Sequence, residues 1–210
     1  MGNKASADIG KKLEELDPRG LEAAIKEKLA TGVPPADIKK SLSKKMAEIG
    51  KKYVDGEIYL PRALIASEIF EEVLEEFDLP EGGLGKVAIG VVGPQIHEVG
   101  KNMVAAWLRS AGFEVLDLGI LVPPERFIEV VRDGKADILA ISARLSPAIY
   151  AMSWVLRGLE KEGLRKNVKV IIGGTAVSKE IAKEMGADSY ASDFMKAVDE
   201  CRKLISKEGG

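Results

Sequence analysis

The sequence predicts an N-terminal helical bundle followed by an α/β domain built on a five-stranded parallel sheet. Three observations lead there. Apolar residues recur at helical spacing from about residue 4 to residue 78, a glycine-rich stretch then breaks the pattern, and beyond it short apolar runs alternate with helical segments.

In the first part, Leu21, Ala24, Ile25 and Leu29 make one stripe and Ile38, Leu42, Met46 and Ile49 another. The helix ends have local causes. Asp17 before Pro18 supplies an N-cap and a first-turn proline, Gly32 ends that helix, and Pro34 and Pro35 open the next with Asp37 in its first turn. After a break at Asp55-Gly56, a further helix is expected from about Pro61 to Phe77, giving about four helices within residues 1–78. The runs Lys39, Lys40, Lys44, Lys45 and Glu71, Glu72, Glu75, Glu76 read as solvated helix faces.

The segment DLPEGGLG, residues 78–85, holds three glycines and a proline with little to bury, so residues 79–85 read as a flexible linker and 86–210 as a second domain. There the runs KVAIGVV, FEVLDLG, ADILAIS and VKVIIGG, with a shorter one at GADSY, read as strands separated by helices. Alternation of this kind implies a parallel sheet covered on both faces, in a flavodoxin-like (Rossmann-like) order. Ligands on such sheets bind beyond the carboxyl ends of the strands, at the switch point.

Composition narrows the function classes. A formal net charge of -2, with basic residues scattered among acidic ones, gives no footprint for nucleic acid. A single cysteine, Cys201, allows no intramolecular disulfide and no cysteine-built metal site, which fits a reducing compartment. No apolar run approaches the roughly 18 to 20 residues of a membrane span, and MGNKASADIGKK is not followed by a signal-peptide apolar core. A cytoplasmic protein is the expectation.

The loops at the expected ligand edge carry Gln95-Ile96-His97-Glu98-Val99-Gly100 after strand one, Ser142-Ala143-Arg144 after strand three and Gly173-Gly174 after strand four. His97 is the only histidine, on a loop before a helix starting near Gly100. Imidazole is a common transition-metal ligand, but a lone loop histidine equally serves as a surface or capping residue. Gly173-Gly174 alone reads as a strand-to-loop turn, and Ser142 alone as a backbone cap.

The spacing separates these readings. His-x-x-Gly, then 41 residues, Ser-x-x, then 28 residues and Gly-Gly resembles the pattern of cobalamin-dependent methyltransferases and mutases, Asp-x-His-x-x-Gly, Ser-x-Leu, Gly-Gly. GKNMV, AGFEVLDLG, VPPERF and GADSYASD are similar to stretches of that family. VDGEIYLPRALIASE is similar to the helical cap preceding the corrinoid domain in methyl-transferring members, so the likeness spans about residues 20–205. The resemblance implies a cobalamin or related corrinoid held base-off/His-on, with His97 as the lower cobalt ligand and the cofactor's own base threaded into the sheet. It implies contacts from Gln95, Ile96, Gly100, Ser142, Arg144, Ser146, Gly173, Gly174 and Thr175. Small groups at Gly93, Gly173, Gly174 and Ala176 would let the nucleotide tail approach the backbone, and Ser142 would offer its hydroxyl to the buried base nitrogen. Tyr53 and Leu60, flanking the Asp55-Gly56-Glu57 turn, match positions from which family caps cover the corrin; ordinary helix packing is the other reading of Tyr53.

The chain departs from the pattern at the histidine's partners. The family's lower ligand sits in an Asp-His-Ser relay; here the Asp is Gln95 and the relay serine aligns with Ala148. A glutamine carbonyl is expected to accept the imidazole N–H without bringing charge, leaving a less basic ligand and a more accessible Co(I) state. Glu98 is another carboxylate beside His97. Arg144 stands where the pattern has leucine, free to reach a phosphate or propionamide of the corrinoid or to point to solvent.

The resemblance further implies a methyl carrier passing through Co(I) and methyl-Co(III) between a substrate methyltransferase and an acceptor methyltransferase, with a reductive activation protein as third partner. No residue reads as a catalytic acid or base, so the chain is expected to be a component of an enzyme system rather than a complete enzyme. A corrinoid sensor or storage protein is the alternative. A mutase subunit is disfavoured by the helical cap. A receiver domain is disfavoured by Gly93 and Ser142, where clustered acidic residues would be needed.

Overall fold

A computed structural model describes the backbone of residues 2–206 and the side chains of residues 9–206. The chain divides into two compact units at Glu81/Gly82, with Ser110–Gly112 counted in the first.

The first unit is helical as predicted: α1 (Gly2–Glu15), α2 (Pro18–Ala30), α3 (Pro35–Val54) and α4 (Leu60–Glu76). The predicted stops and starts are in place. The Asp17 carboxylate accepts the Gly20 N–H at 2.9 Å, capping α2, and Pro18, Pro35 and Pro61 occupy first-turn positions where a missing N–H costs nothing. Leu13, Leu21, Ile25, Ile38, Leu42, Met46 and Phe70 are shut off from solvent and make the core. One charge run reads differently in three dimensions. Lys39 is buried, and its ammonium donates to the Pro80 carbonyl rather than facing water. Lys45 is also drawn in, to Glu14 at 3.0 Å and Glu48 at 2.5 Å.

The second unit holds β1 (Lys86–Val91), β2 (Glu114–Asp117), β3 (Ile138–Ser142), β4 (Lys169–Gly173) and β5 (Ser189–Ala191), joined by α5 (Val99–Ser110), α6 (Pro124–Arg132), α7 (Pro147–Lys161) and α8 (Lys179–Glu184), with α9 (Phe194–Ser206) after β5. The strands are all parallel in the order β2-β1-β3-β4-β5. This is the doubly wound flavodoxin-like sheet expected from the alternation, with its switch point between β1 and β3. The chain leaves β1 toward β2 on one side and returns to β3 on the other, which opens a crevice at the carboxyl ends of the strands.

Both faces of the sheet are covered. Phe127 of α6, Met152 and Val155 of α7 and Ala182 of α8 share one cluster with Ala88, Leu139, Ile141 and Val170. Elsewhere Trp107 of α5 meets Phe194 of α9 with ring centroids 4.9 Å apart. A Cβ on Gly90 would lie 2.9 Å from Phe127 Cζ, so this strand position is kept small for the helix rather than for a ligand.

Glu14 of α1 joins Lys45 and Lys52 of α3 across the helical unit. Hydrogen bonds from Lys52 first, then Lys45, hold its carboxyl down at about 2 against an ordinary 4.5. A lowered carboxylate contributes stability above its ordinary value and loses it as pH falls toward the folded-state value. Glu14→Gln should therefore cost about 1–2 kcal/mol at neutral pH once solvent screening is discounted. It should also flatten the loss of stability between pH 4.5 and about 2, checked by urea unfolding across that range.

Candidate functional site

The site grows out of the end of β1. Hydrogen bonding continues past the strand on both sides: the Val92 N–H reaches the Ser142 carbonyl at 3.3 Å, and the Gly93 N–H reaches the Val122 carbonyl at 3.2 Å. Gly93 then turns the chain at φ +74, a left-handed conformation that suits glycine. Pro94 through Glu98 form the loop, and the Asn102 N–H bonds the Glu98 carbonyl at 2.8 Å as α5 begins at Val99.

On this loop Ile96, His97, Glu98 and Gly100 are exposed, while Gln95 is buried at 2% exposure. Gln95 does not serve the imidazole. Its Oε1 accepts the backbone N–H groups of Arg144 at 2.6 Å and Leu145 at 2.9 Å, and its Nε2 donates to the Val92 carbonyl at 2.9 Å. Both acceptor sites of that oxygen are used, so the carbonyl expected to take the His97 N–H is committed to another loop. His97 makes no hydrogen bond among the described residues, and neither does the Glu98 carboxylate. Ala148, at the relay serine's place, is fully buried beneath Gly93: a Cβ on Gly93 would stand 3.8 Å from the Ala148 Cβ.

Ser142 ends β3 at the centre of the sheet, paired with Val91 on one side and Gly173 on the other. It is half-buried, and its hydroxyl has no hydrogen-bond partner among the described residues. Arg144 is exposed and its guanidinium likewise makes no bond among the described residues, whereas its backbone is held at both ends: its N–H by Gln95 and its carbonyl by Thr175 Oγ1 at 3.3 Å. Ser146 is exposed at the start of α7, and its side chain makes no cap. Gln95, Arg144 and Thr175 are thus brought into one network. Tyr53, half-buried at the end of α3, and Leu60, exposed at the start of α4, belong to the helical unit.

Gly173 and Gly174 are small for a reason nearer home than a nucleotide tail. A Cβ on Gly173 would meet the Ala191 carbonyl oxygen at 2.6 Å, and one on Gly174 would meet that of Ala143 at 2.1 Å. The sequence reading missed two further features. Lys101 is buried, its ammonium paired with Asp117 and bonded to Asn102 Oδ1 at 2.6 Å, which ties the start of α5 to the end of β2. Its register with the buried Ala105 and Leu108 was the available signal. Leu121 stands 53% exposed at φ +56, a strained posture for leucine, beside the Val122 that bonds to Gly93.

Two family models, each described as a B12 binding domain, match residues 7–77 and 85–199. The chain belongs to the B12-binding family. It is 36% identical over 185 residues to dimethylamine corrinoid protein 3 of Methanosarcina acetivorans, covering 85% of this chain and 87% of that one. It is 32% identical over 216 residues to the trimethylamine corrinoid protein of Methanosarcina barkeri, covering 98% and 100%. In fold it matches the methanol:cobalamin methyltransferase complex MtaBC of M. barkeri, with a TM-score of 0.83 at 24% identity over 97% of this chain and 80% of that one.

The residues of this B12-binding chain suit a corrinoid. An imidazole without partners among the described residues offers nitrogen to a metal, a half-buried hydroxyl likewise unpaired among them stands at the switch point, and exposed Ile96, Val99, Leu121 and Leu145 offer apolar contact on segments laced to one another. Among the described residues no cluster of three or more His, Cys, Asp or Glu side chains stands close enough together to hold a metal ion.

Gly174 gives the sharpest steric test. With φ +104 and the Ala143 carbonyl in the way, Gly174→Ala should destabilise the protein by about 2–4 kcal/mol before any ligand is added. Chemical denaturation of the cofactor-free chain checks it.

Proposed function

We propose that this protein is a corrinoid methyl carrier, accepting a methyl group from a substrate-specific methyltransferase and presenting it to an acceptor methyltransferase. The observation that carries the reading is the likeness to a corrinoid protein along 98% of the chain, together with a His97 on the ligand edge of the sheet that has no hydrogen-bond partner among the described residues. The relatives are named for dimethylamine and trimethylamine, so a methylamine is the donor class proposed here, selected by the partner enzyme rather than by this chain.

The corrinoid, when bound, supplies a cobalt centre able to take and release a methyl group. The chain supplies what surrounds it. His97 offers its ring nitrogen as the lower ligand in a base-off arrangement, and with no carboxylate behind it the imidazole is a weaker donor than in an Asp-linked site. Ser142 offers its hydroxyl to the displaced base, and Arg144 offers a guanidinium to a phosphate or amide on the cofactor. Ile96, Leu121 and Leu145 keep water from the ring. Residues 1–78 act as a cap through Tyr53 and Leu60, with 79–85 as the hinge that lets it move, and 86–210 carry the cofactor. A cytoplasmic location and a reductive activation partner complete the proposal. No helix among the described residues is long and apolar enough to cross a membrane.

The test is direct. The purified chain, as isolated or after addition of hydroxocobalamin, should be coloured, and its Co(II) form should show the splitting of one axial nitrogen by paramagnetic resonance. With 15N-histidine in the chain, whose one histidine is His97, that splitting should change from three lines to two, and His97→Ala should weaken binding by roughly 10- to 100-fold, the range for lost metal-site contacts. A chain that stays colourless ends the reading. A coloured chain whose methyl group no acceptor methyltransferase can remove would be a sensor or store instead.

A further inference from the structure

A corrinoid site does not by itself explain why the residue two before the cobalt ligand is shut away from solvent. Gln95 is buried at 2% exposure, yet its amide is engaged at both ends: two backbone N–H groups are given to its oxygen and one of its own N–H groups is given to a carbonyl. All three partners are main chain. Val92 belongs to the end of β1, from which the His97 loop departs, and Arg144 and Leu145 belong to the loop after β3, which runs on to Ser146. An amide is the group that can do this, since one end must accept and the other donate. Aspartate at the same place has no donor for the Val92 carbonyl and is one methylene shorter. Leucine or methionine would leave Arg144 and Leu145 with unpaired N–H groups.

We infer that Gln95 is a positioning residue: a neutral lock that fixes the His97 loop to the Arg144–Leu145 turn, so that the ligand is placed by its loop and not by a hydrogen-bonded relay. The inference rests on the reading of His97 as the cobalt ligand. Three features of the chain agree with it. The Gln95 oxygen has no capacity left for the imidazole. Ala148, where a relay serine would stand, is buried and apolar. The Arg144 carbonyl accepts the Thr175 hydroxyl, so the loops after β1, β3 and β4 are tied through two side chains, Gln95 and Thr175. The lower-ligand loop and the loop bearing Ser142 and Arg144 consequently hold or loosen together.

The full chain carrying Gln95→Met, which keeps length but not polarity, tests the lock. Hydrogen exchange at the Arg144 and Leu145 amides should rise at least 10-fold in the cofactor-free protein. The Kd for cob(II)alamin should rise about 10-fold or more, and the axial-nitrogen splitting should become weak or mixed. Gln95→Asn, with an amide too short to span both loops, should move the same readouts in the same direction, and it decides the matter if the methionine variant does not fold. Gln95→Asp separates lock from relay: a lock predicts looser binding, whereas a relay predicts a firmer axial nitrogen and tighter binding. Wild-type Kd with full splitting in Gln95→Met, or tighter binding in Gln95→Asp, overturns the inference. Labelling of the histidine, measured alongside, keeps the two ideas apart. If 15N-histidine in the wild-type chain, whose one histidine is His97, leaves the splitting unchanged, His97 is not the ligand; if it changes the splitting from three lines to two while Gln95→Met keeps that pattern in full, the lock alone is wrong.

Discussion

A parallel sheet packed on both faces has no place for polar chemistry except at its ends, and this chain obeys that constraint closely. Val87, Ala88, Ile89 and Val91 of β1 are buried, so the strand leaves the core only when its hydrogen bonds to both neighbours run out. They run out late. Val91, Val92 and Gly93 still bond to Gly119, Ser142 and Val122, which carries the hydrogen bonding two residues past the end of β1 into the ligand edge. Everything in the site follows from that extension: Gln95 starts from a fixed point, Leu121 is held out in a strained posture, and Ser142 is placed between two strands.

His97 sits between two anchors in the same stretch of chain. On the β3 side, Gln95 ties the loop to Arg144 and Leu145; on the β2 side, Lys101 ties the first turn of α5 to Asp117, whose other oxygen accepts the Gly119 N–H at 2.8 Å. Only residues 96–100 lie between them, and these are the exposed ones. An exposed side chain held on a short span with both ends fixed can meet a ligand without a large loss of backbone freedom, which is what binding otherwise costs a loop.

The helices, the five strands and their order were legible in the sequence because each rests on a local rule: periodicity, capping by Asp17, prolines in first turns, and strand-helix alternation. Features that depend on distant main chain were not. Lys39 reads as solvated until its ammonium is seen at a carbonyl 41 residues away, and Gln95 reads as a histidine partner until its oxygen is seen at amides 49 and 50 residues away. Backbone partners leave no mark in the identity of the residue that supplies them. Gly173 and Gly174 were legible as small positions, but the pattern could not say what they are small for. Their own neighbours' carbonyls are the immediate reason. Lys101 carried a misleading mark, a charge at a position whose register was apolar.

The replacement of a carboxylate by Gln95 becomes intelligible once the floor of the site is considered as a whole. Gln95, Ser142 and Ala148 are all neutral, and the charged Glu98 and Arg144 stand exposed at the rim. An ionised carboxylate in the position of the Gln95 amide would be welcome to the Arg144 and Leu145 N–H groups but would face the Val92 carbonyl oxygen where the amide now donates at 2.9 Å. With Ala148 offering no hydroxyl to balance it, that buried charge would lie between one favourable and one repulsive side. The amide satisfies both. On the proposed reading of His97 as cobalt ligand, Gln95 and Ala148 therefore act as one feature rather than two, a neutral tie beneath the histidine where the family pattern has a charged relay behind it.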